Sequence, residues 1–321
     1  MDACALPVFF NELETRLTEH LAVKPSEIRR LFHGRGRCFV GLEQLTADWL
    51  GDQLLVTLFI EPEAEFLTEL TRGLLALSEQ ALWQQNSDPT NKPRAILVQH
   101  RKRASSPIEI LWGELEPRPV VCEQGLNFQL DLGRNQNHGL FLDMRLGREW
   151  VRQQAEDKRV LNLFAYTCGF SVAALKGGAK HVVNLDMARG MLNRGRENHK
   201  LNEQDLSQVT FLGHDVFKSL GRLRKLGPYE LVIIDPPSFQ KGSFALTTDY
   251  HKILRRLPDL LTPNGKVLAC VNAPAIPSQF LIDSMAEHAP TLQFVERLAN
   301  PPEFADIAPE AGLKALVFKN N

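Results

Sequence analysis

The pentapeptide Asp235-Pro236-Pro237-Ser238-Phe239 follows the apolar run Leu231-Val232-Ile233-Ile234, and its residue types suit the gripping of a planar nitrogenous group. The acidic side chain and the carbonyl after it accept hydrogen bonds from an amine or a base edge. Two prolines fix φ and hold those acceptors rigid, and the aromatic ring stacks on the target plane. The preceding run reads as a buried strand. Ligands of open α/β sheets sit beyond the carboxyl ends of the strands, and Asp235 would stand at such an end. A strand followed by a plain proline turn would also account for Asp-Pro-Pro, so neighbouring strand ends carry the discrimination.

Three of them carry suitable residues. A strand ending at Leu163 leads into Phe164-Ala165-Tyr166-Thr167-Cys168-Gly169-Phe170-Ser171 and a predicted helix from about Val172 to Lys176. In a doubly wound sheet this first turn lets the backbone approach a ligand, and the helix offers free N–H groups. Only Gly169 remains of a glycine fingerprint, so a dinucleotide cradle, and with it a dehydrogenase, is poorly supported; a methionine carboxylate and a ribose need less room. Asp186 ends the next strand, where a carboxylate about 20 positions after the turn accepts both ribose hydroxyls. After the third, His214-Asp215-Val216-Phe217 offers a carboxylate for an adenine amino group and apolar side chains for its faces. A lone Asp at a strand end is more often a helix N-cap, but with Asp235 the set points to methyl transfer from S-adenosylmethionine.

These residues need a parallel sheet to align them, and its pattern is legible from Arg159 onward. Val160–Leu163, His181–Leu185, Val209–Leu212, Leu231–Ile234 and Lys266–Val271 are buried-strand runs, each followed by a helical pattern. Gln293–Leu298 and Lys314–Phe318 would close the sheet as an antiparallel pair. Upstream, Val8–Ala22 and Glu65–Trp83 have helical apolar faces and flank a β-type run, Gln53–Phe59. The polar segment 86–93 reads as a linker. Short runs at Ala95–Gln99, Ile108–Gly113, Val120–Glu123 and Phe128–Leu132 suggest hairpins. The expected architecture is α/β: an N-terminal α/β accessory domain at 1–92, a small antiparallel β module at 93–135, and a doubly wound, mostly parallel seven-stranded domain at 136–321.

Composition agrees with a globular chain: 321 residues, 44% hydrophobic, 23% charged, net charge −1. No apolar run approaches the roughly 18 residues of a spanning helix, and the N-terminus lacks a signal-peptide pattern, so a cytoplasmic setting is expected with no membrane partner. Cys4, Cys38, Cys122, Cys168 and Cys270 are odd in number and lack ligand spacing, which implies neither a disulfide framework nor a metal site.

The segments Asn137-His138-Gly139-Leu140-Phe141-Leu142-Asp143-Met144-Arg145, Leu161 to Thr167, Asp186, His214 to Phe217 and Asp235 to Phe239 resemble the successive motifs of bacterial 23S ribosomal-RNA base methyltransferases. The similar branches are the large-subunit 5-methylcytosine enzymes and the 7-methylguanine domain of their fused relatives. The resemblance runs from about Pro119 to the C-terminus and includes Tyr250-His251-Lys252 and Pro309-Glu310…Leu313-Lys314. It implies that Phe164, Tyr166, Thr167 and Gly169 line the methionine end, that Asp186 holds the ribose and Asp215 the adenine, with Val216 and Phe217 beside it, and that Phe141, Asp143 and Arg145 close over the cofactor. Asp235, Pro236, Pro237 and Phe239 then form the target loop.

Carbon-5 methylation requires a thiolate that adds to the pyrimidine ring. In the 5-methylcytosine branch a cysteine follows the strand that here ends Leu268-Ala269-Cys270-Val271-Asn272-Ala273-Pro274, and the pattern puts Ala273 or a neighbour in its place. Cys270 falls within the strand, as a core residue would, and Cys168 falls in the cofactor turn. A base nitrogen is therefore the expected target. Two other readings stay open: methylation of a protein amide or small amine, and a non-catalytic RNA-binding module on a drifted fold. The basic segments His33-Gly34-Arg35-Gly36-Arg37 and His100-Arg101-Lys102-Arg103 are candidate contacts for RNA phosphates, or simply solvated turns.

Overall fold

The computed structural model describes residues 1–80, 83, 93–133, 136–237, 239–240 and 244–321, of which 239–240 by backbone alone. The expected linker lies outside these residues except for Pro93. Two compact units emerge: Met1–Leu142 with Pro302–Ile307, and Asp143–Pro301 with Ala308–Asn321.

The first unit contains a five-stranded sheet in the order β1 (Arg29–His33), β2 (Leu45–Trp49), β3 (Gln53–Leu58), β4 (Ala95–His100) and β5 (Ile108–Gly113). Helices α1 (Leu6–Val23) and α2 (Ala64–Ser78) share one core with it, in which Phe9, Leu13, Leu17, Trp49, Phe66, Leu70 and Leu74 are buried. β3 and β4 are parallel, so α2 serves as their crossover, and the other pairs are antiparallel. This corrects the expected division at 92/93. β4 and β5 complete the front sheet, and only β6 (Val120–Glu123) and β7 (Leu126–Gln129) form a separate hairpin. The cause is the β3–β4 ladder, a pairing across more than thirty residues of sequence that no local pattern announces. Strands β1 and β2 were not expected, although Leu45-Thr46-Ala47-Asp48-Trp49 alternates apolar and polar residues as a strand does.

The second unit is the expected seven-stranded sheet, ordered β10 (Val209–Leu212), β9 (His181–Leu185), β8 (Arg159–Leu163), β11 (Tyr229–Ile234), β14 (Leu261–Val271), β16 (Lys314–Asn320), β15 (Leu292–Arg297). The first five are parallel, and β16 and β15 are antiparallel; β12 (Phe239–Gln240) and β13 (Phe244–Ala245) form a separate short antiparallel pair. The order reverses between β8 and β11, so Leu163 and Asp235 flank the switch point where ligands of such sheets bind. Alternate residues of each strand enter opposite cores. Leu161, Leu163, Val232 and Ile234 pack with helices α6 (Val216–Leu226), α7 (Leu246–Leu254), α8 (Leu257–Leu260) and α9 (Gln279–His288). Val160, Val182, Leu231 and Ile233 pack with α3 (Arg145–Gln154) and α4 (Gly169–Lys176). No helix among the described residues is long and apolar enough to cross a membrane.

A buried polar chain ties α4 and α5 (Arg189–Leu201) to the sheet. Asn162 Nδ2 donates to Asn184 Oδ1 (2.9 Å) and Asn184 Nδ2 to Ser171 Oγ (2.8 Å). Ser171 Oγ lies 2.9 Å from His199 Nε2, and His199 Nδ1 lies 2.6 Å from Gln204 Oε1. Gln204 Nε2 donates to the Val172 carbonyl (2.8 Å). One tautomer satisfies every link: Nδ1–H donates to Gln204, and Nε2 accepts from the serine hydroxyl. Burial holds His199 neutral, with its pKa pushed down to about 4. Because that value lies below the ordinary 6.5, the fold binds fewer protons here than the unfolded chain. Stability is therefore present above pH 6.5 and falls as pH drops toward 4. Urea unfolding at neutral pH and at about pH 4.5 is expected to show a loss of up to about 3 kcal/mol that His199→Gln lacks.

Candidate active site

The turn after β8 is built from backbone conformations that side-chain-bearing residues seldom adopt. Phe164, Tyr166 and Cys168 all have positive φ, at 58°, 48° and 62°. Each costs on the order of 1 kcal/mol or more, so partners must hold the turn. Asp186 is the chief of these. Tyr166 N–H donates to its Oδ2 and Ala188 N–H to its Oδ1, both at 2.8 Å. The Cys168 N–H closes onto the Ala165 carbonyl (2.7 Å), and Asn198 Nδ2 donates to the Thr167 carbonyl (2.9 Å). Gly195 of α5 lies so close that a Cβ there would stand 2.3 Å from Cys168 Sγ. The α4 helix begins at Gly169, three residues earlier than the sequence suggests, so its N–H groups open directly onto the turn.

Beside the turn lies a shallow recess, partly open to solvent, lined by Phe164, Leu185, Asp186, Met187, His214, Asp215, Val216 and Phe244. Four expected cofactor residues, Phe164, Asp186, Asp215 and Val216, thus converge on one space from three strand ends. Asp215 is also the N-cap of α6, its Oδ1 accepting from Lys218 N–H (3.0 Å). The N-cap and ligand roles are compatible because a carboxylate has several acceptor positions. Phe217 is not among the lining residues. It packs partly buried on the core, with the Lys252 ammonium 5.6 Å from its ring centroid, because the first turn of α6 carries Val216 and Phe217 in different directions. Met187 and Phe244 were missed by sequence reasoning. Met187 sits next to Asp186 and could have been inferred, whereas Phe244 arrives from a distant segment. Phe141 is exposed and belongs to the first unit.

At the end of β11, Pro236 is buried and Pro237 exposed; Ser238 and the Phe239 side chain lie outside the described residues. Burial pushes the Asp235 carboxyl up to about 7, the nearby Asp143 carboxylate adds to the rise, and the Arg148 guanidinium opposes it. The residue keeps some exposed surface while its carboxyl is desolvated. Asp143 stands in a 3₁₀ turn, Leu142–Met144, that runs into α3, and Asn272 Nδ2 donates to its Oδ2 (3.2 Å). Asn272, one residue beyond the end of β14, thereby joins the Asp235 group. Tyr250 braces this end of the sheet: its hydroxyl is 3.3 Å from the Ile234 carbonyl and 3.2 Å from that of Cys270. Its ring touches Phe244, which touches Phe164, so one aromatic file runs from the brace to the recess. Cys270 and Cys168 are fully buried, and burial drives both thiols far above their ordinary range, away from the thiolate form.

Comparison with known proteins is consistent with this geometry. A family model described as S-adenosylmethionine-dependent methyltransferase matches residues 29–319. The ribosomal RNA large subunit methyltransferase I of Aeromonas salmonicida is 35% identical over 234 residues, 71% of this chain and 57% of that protein. The chain thus spans little more than half the length of that relative. A crystal structure of a methyltransferase complexed with SAH superposes with a TM-score of 0.82 at 25% identity, covering 98% of this chain and 82% of that one. One named as a SAM-dependent methyltransferase from Streptococcus mutans gives 0.81, also at 25%, with 98% and 81% covered.

Carbon-detected NMR of the aspartate carboxyls is expected to show Asp235 titrating near pH 7. Asp143→Asn removes the neighbouring negative charge and should move the midpoint down, and Arg148→Gln should move it up. A midpoint near the ordinary carboxylate value would show that the Asp235 carboxyl is solvated.

Proposed function

Since the chain belongs to the S-adenosylmethionine-dependent methyltransferase family, we propose that it methylates a nitrogen of a base in ribosomal RNA. The observation that carries the choice of atom is the placement of the thiols. Both cysteines of the second unit are buried and protonated, and Asn272, not a cysteine, follows the strand that ends beside Asp235. A carbon-5 mechanism would lack its nucleophile. A nitrogen lone pair needs only alignment and desolvation.

In this reading the recess takes the adenosine. Phe164, Val216, Met187 and Phe244 face the adenine, Asp215 accepts from its amino group, and Asp186 accepts from the ribose. Tyr166, Thr167 and Gly169 form the methionine end, with Asp143 and Arg145 beside it. When bound, S-adenosylmethionine supplies an electrophilic methyl group on a sulfonium. The chain's own part is to hold the acceptor. The Asp235 carboxylate and the carbonyls of a proline-stiffened loop accept the base N–H groups and direct its lone pair. A carboxyl with a pKa near 7 can also take up the proton that the methylated nitrogen releases. Asn272, oriented by Asp143, offers a further polar contact to the base edge. The names of the relatives support ribosomal RNA as substrate, and its proposed contacts in the first unit lie within the basic segments 33–37 and 100–103. A cytoplasmic setting follows from such a substrate.

Mass spectrometry of ribosomal RNA nucleosides from cells lacking the protein is expected to show one missing N-methylated base, restored by the wild-type chain and not by Asp235→Asn. Loss of 5-methylcytosine instead would overturn the nitrogen assignment, and loss of methyl groups from protein with RNA intact would overturn the substrate. In vitro, Asp235→Asn should lower kcat by on the order of 10²-fold. Asp186→Ala should weaken S-adenosylhomocysteine binding about tenfold or more by calorimetry.

A further inference from the structure

The two basic segments of the first unit are far apart in sequence, and the fold sorts their charges in a way that the sequence does not show. Two of their arginines, and a neighbour on β1, are neutralised at once. Arg37 pairs with Asp306 (2.8 Å), Arg103 with Glu61 (2.5 Å), and Arg30 on β1 with Asp48 on β2 (2.5 Å). His100 is buried, and burial with the neighbouring Arg30 guanidinium pushes His33 down to about 3, so His33 is uncharged at neutral pH.

Arg35 and Arg101 are different. Both guanidinium groups rest on the same ring, Phe59, at 4.7 and 4.9 Å from its centroid. Among the described residues neither meets a carboxylate. Arg35 donates to Gln44 Oε1 (2.6 Å) and Arg101 to Asn137 Oδ1 (3.4 Å), both neutral acceptors. Burial first, and then the like charges of Arg35 and Arg30, lower the pKa of Arg101. Two cations held close without an acid between them are a cost that a bound anion would relieve. A ring contact orients a guanidinium plane while leaving N–H edges for bidentate contact with oxygens. Exposed Lys102 extends the same turn.

We propose that Arg35 and Arg101, seated on Phe59, form a phosphate clamp that grips the backbone of single-stranded RNA. The clamp rests on the reading of RNA as substrate but is separable from catalysis. Its contacts go to phosphate, so it positions the strand without reading the sequence.

The test is fluorescence anisotropy of the full chain with a labelled single-stranded RNA over a series of salt concentrations. Arg35→Gln/Arg101→Gln is expected to weaken binding at least tenfold at low salt. It should flatten the log–log salt slope by about 1.4, two contacts at about 0.7 each for a single strand. Exposed Arg35→Gln alone should flatten it by about 0.7 and serves if the double variant misfolds. Arg37→Gln/Arg103→Gln removes the same charge from acid-paired positions and should change the slope by less than half as much. In methylation assays the clamp variants should raise KM for RNA and leave kcat intact. Equal slopes for the clamp and control pairs, or a clamp pair indistinguishable from wild type, would overturn the proposal. RNA binding that depends on the clamp in a protein that methylates no RNA would leave the clamp standing and sink the proposed activity instead.

Discussion

The Asp186 carboxylate is the constraint on which the cofactor side depends. It accepts from Tyr166 N–H and Ala188 N–H, joining the turn after β8 to the turn after β9. Three left-handed residues in five positions would relax if that turn were free. Their conformations carry Phe164 toward the recess and the Gly169 helix start toward the same strand ends. The carboxylate proposed as a ribose ligand thus also holds the turn beside the recess that it lines. Behind it, the polar chain from Asn162 through His199 to Gln204 locks α4 and α5 to the sheet. The ligand-facing strain is therefore borne by buried hydrogen bonds.

On the target side the governing term is desolvation. Asp235 follows a strand buried at every residue but Glu230 and lies near a second acid, Asp143, with one buried arginine, Arg148, in partial compensation. A carboxyl so placed exchanges its proton near neutrality and can serve both as acceptor and as base. Tyr250 ties the ends of β11 and β14, so Asp235 and Asn272 are displayed from one braced edge. The same burial that raises Asp235 also raises the Cys270 thiol, with the two nearby carboxylates adding to the rise, and keeps it from the thiolate form.

Much of the second unit was legible because buried parallel strands are continuous apolar runs, and Leu231–Ile234 or His181–Leu185 resemble little else. The strand ends then located Asp186, Asp215 and Asp235 with no tertiary information. Phe217 stands outside the recess lining because adjacent residues at a helix start diverge by about 100°, and a sequence motif does not say which one lines it. The front unit was harder to read. β2 alternates apolar and polar residues as a half-exposed strand would, yet it is buried throughout, and β4 and β5 look like a hairpin of their own until β3 is seen to pair with β4.

The sequence by itself determined the fold class of the second unit, the cofactor class and the absence of a well-placed thiol. These follow from local periodicity, from residue type at strand ends and from a motif order that one chain carries in full. Tertiary structure alone decided which residues share a space. It brought Phe244 to the recess, joined Asn272 to Asp143, paired three arginines with acids and left Arg35 and Arg101 together on Phe59. Contacts between segments tens to hundreds of residues apart arise from packing and register, and burial sets pKa through surroundings that no neighbouring residue in the chain encodes.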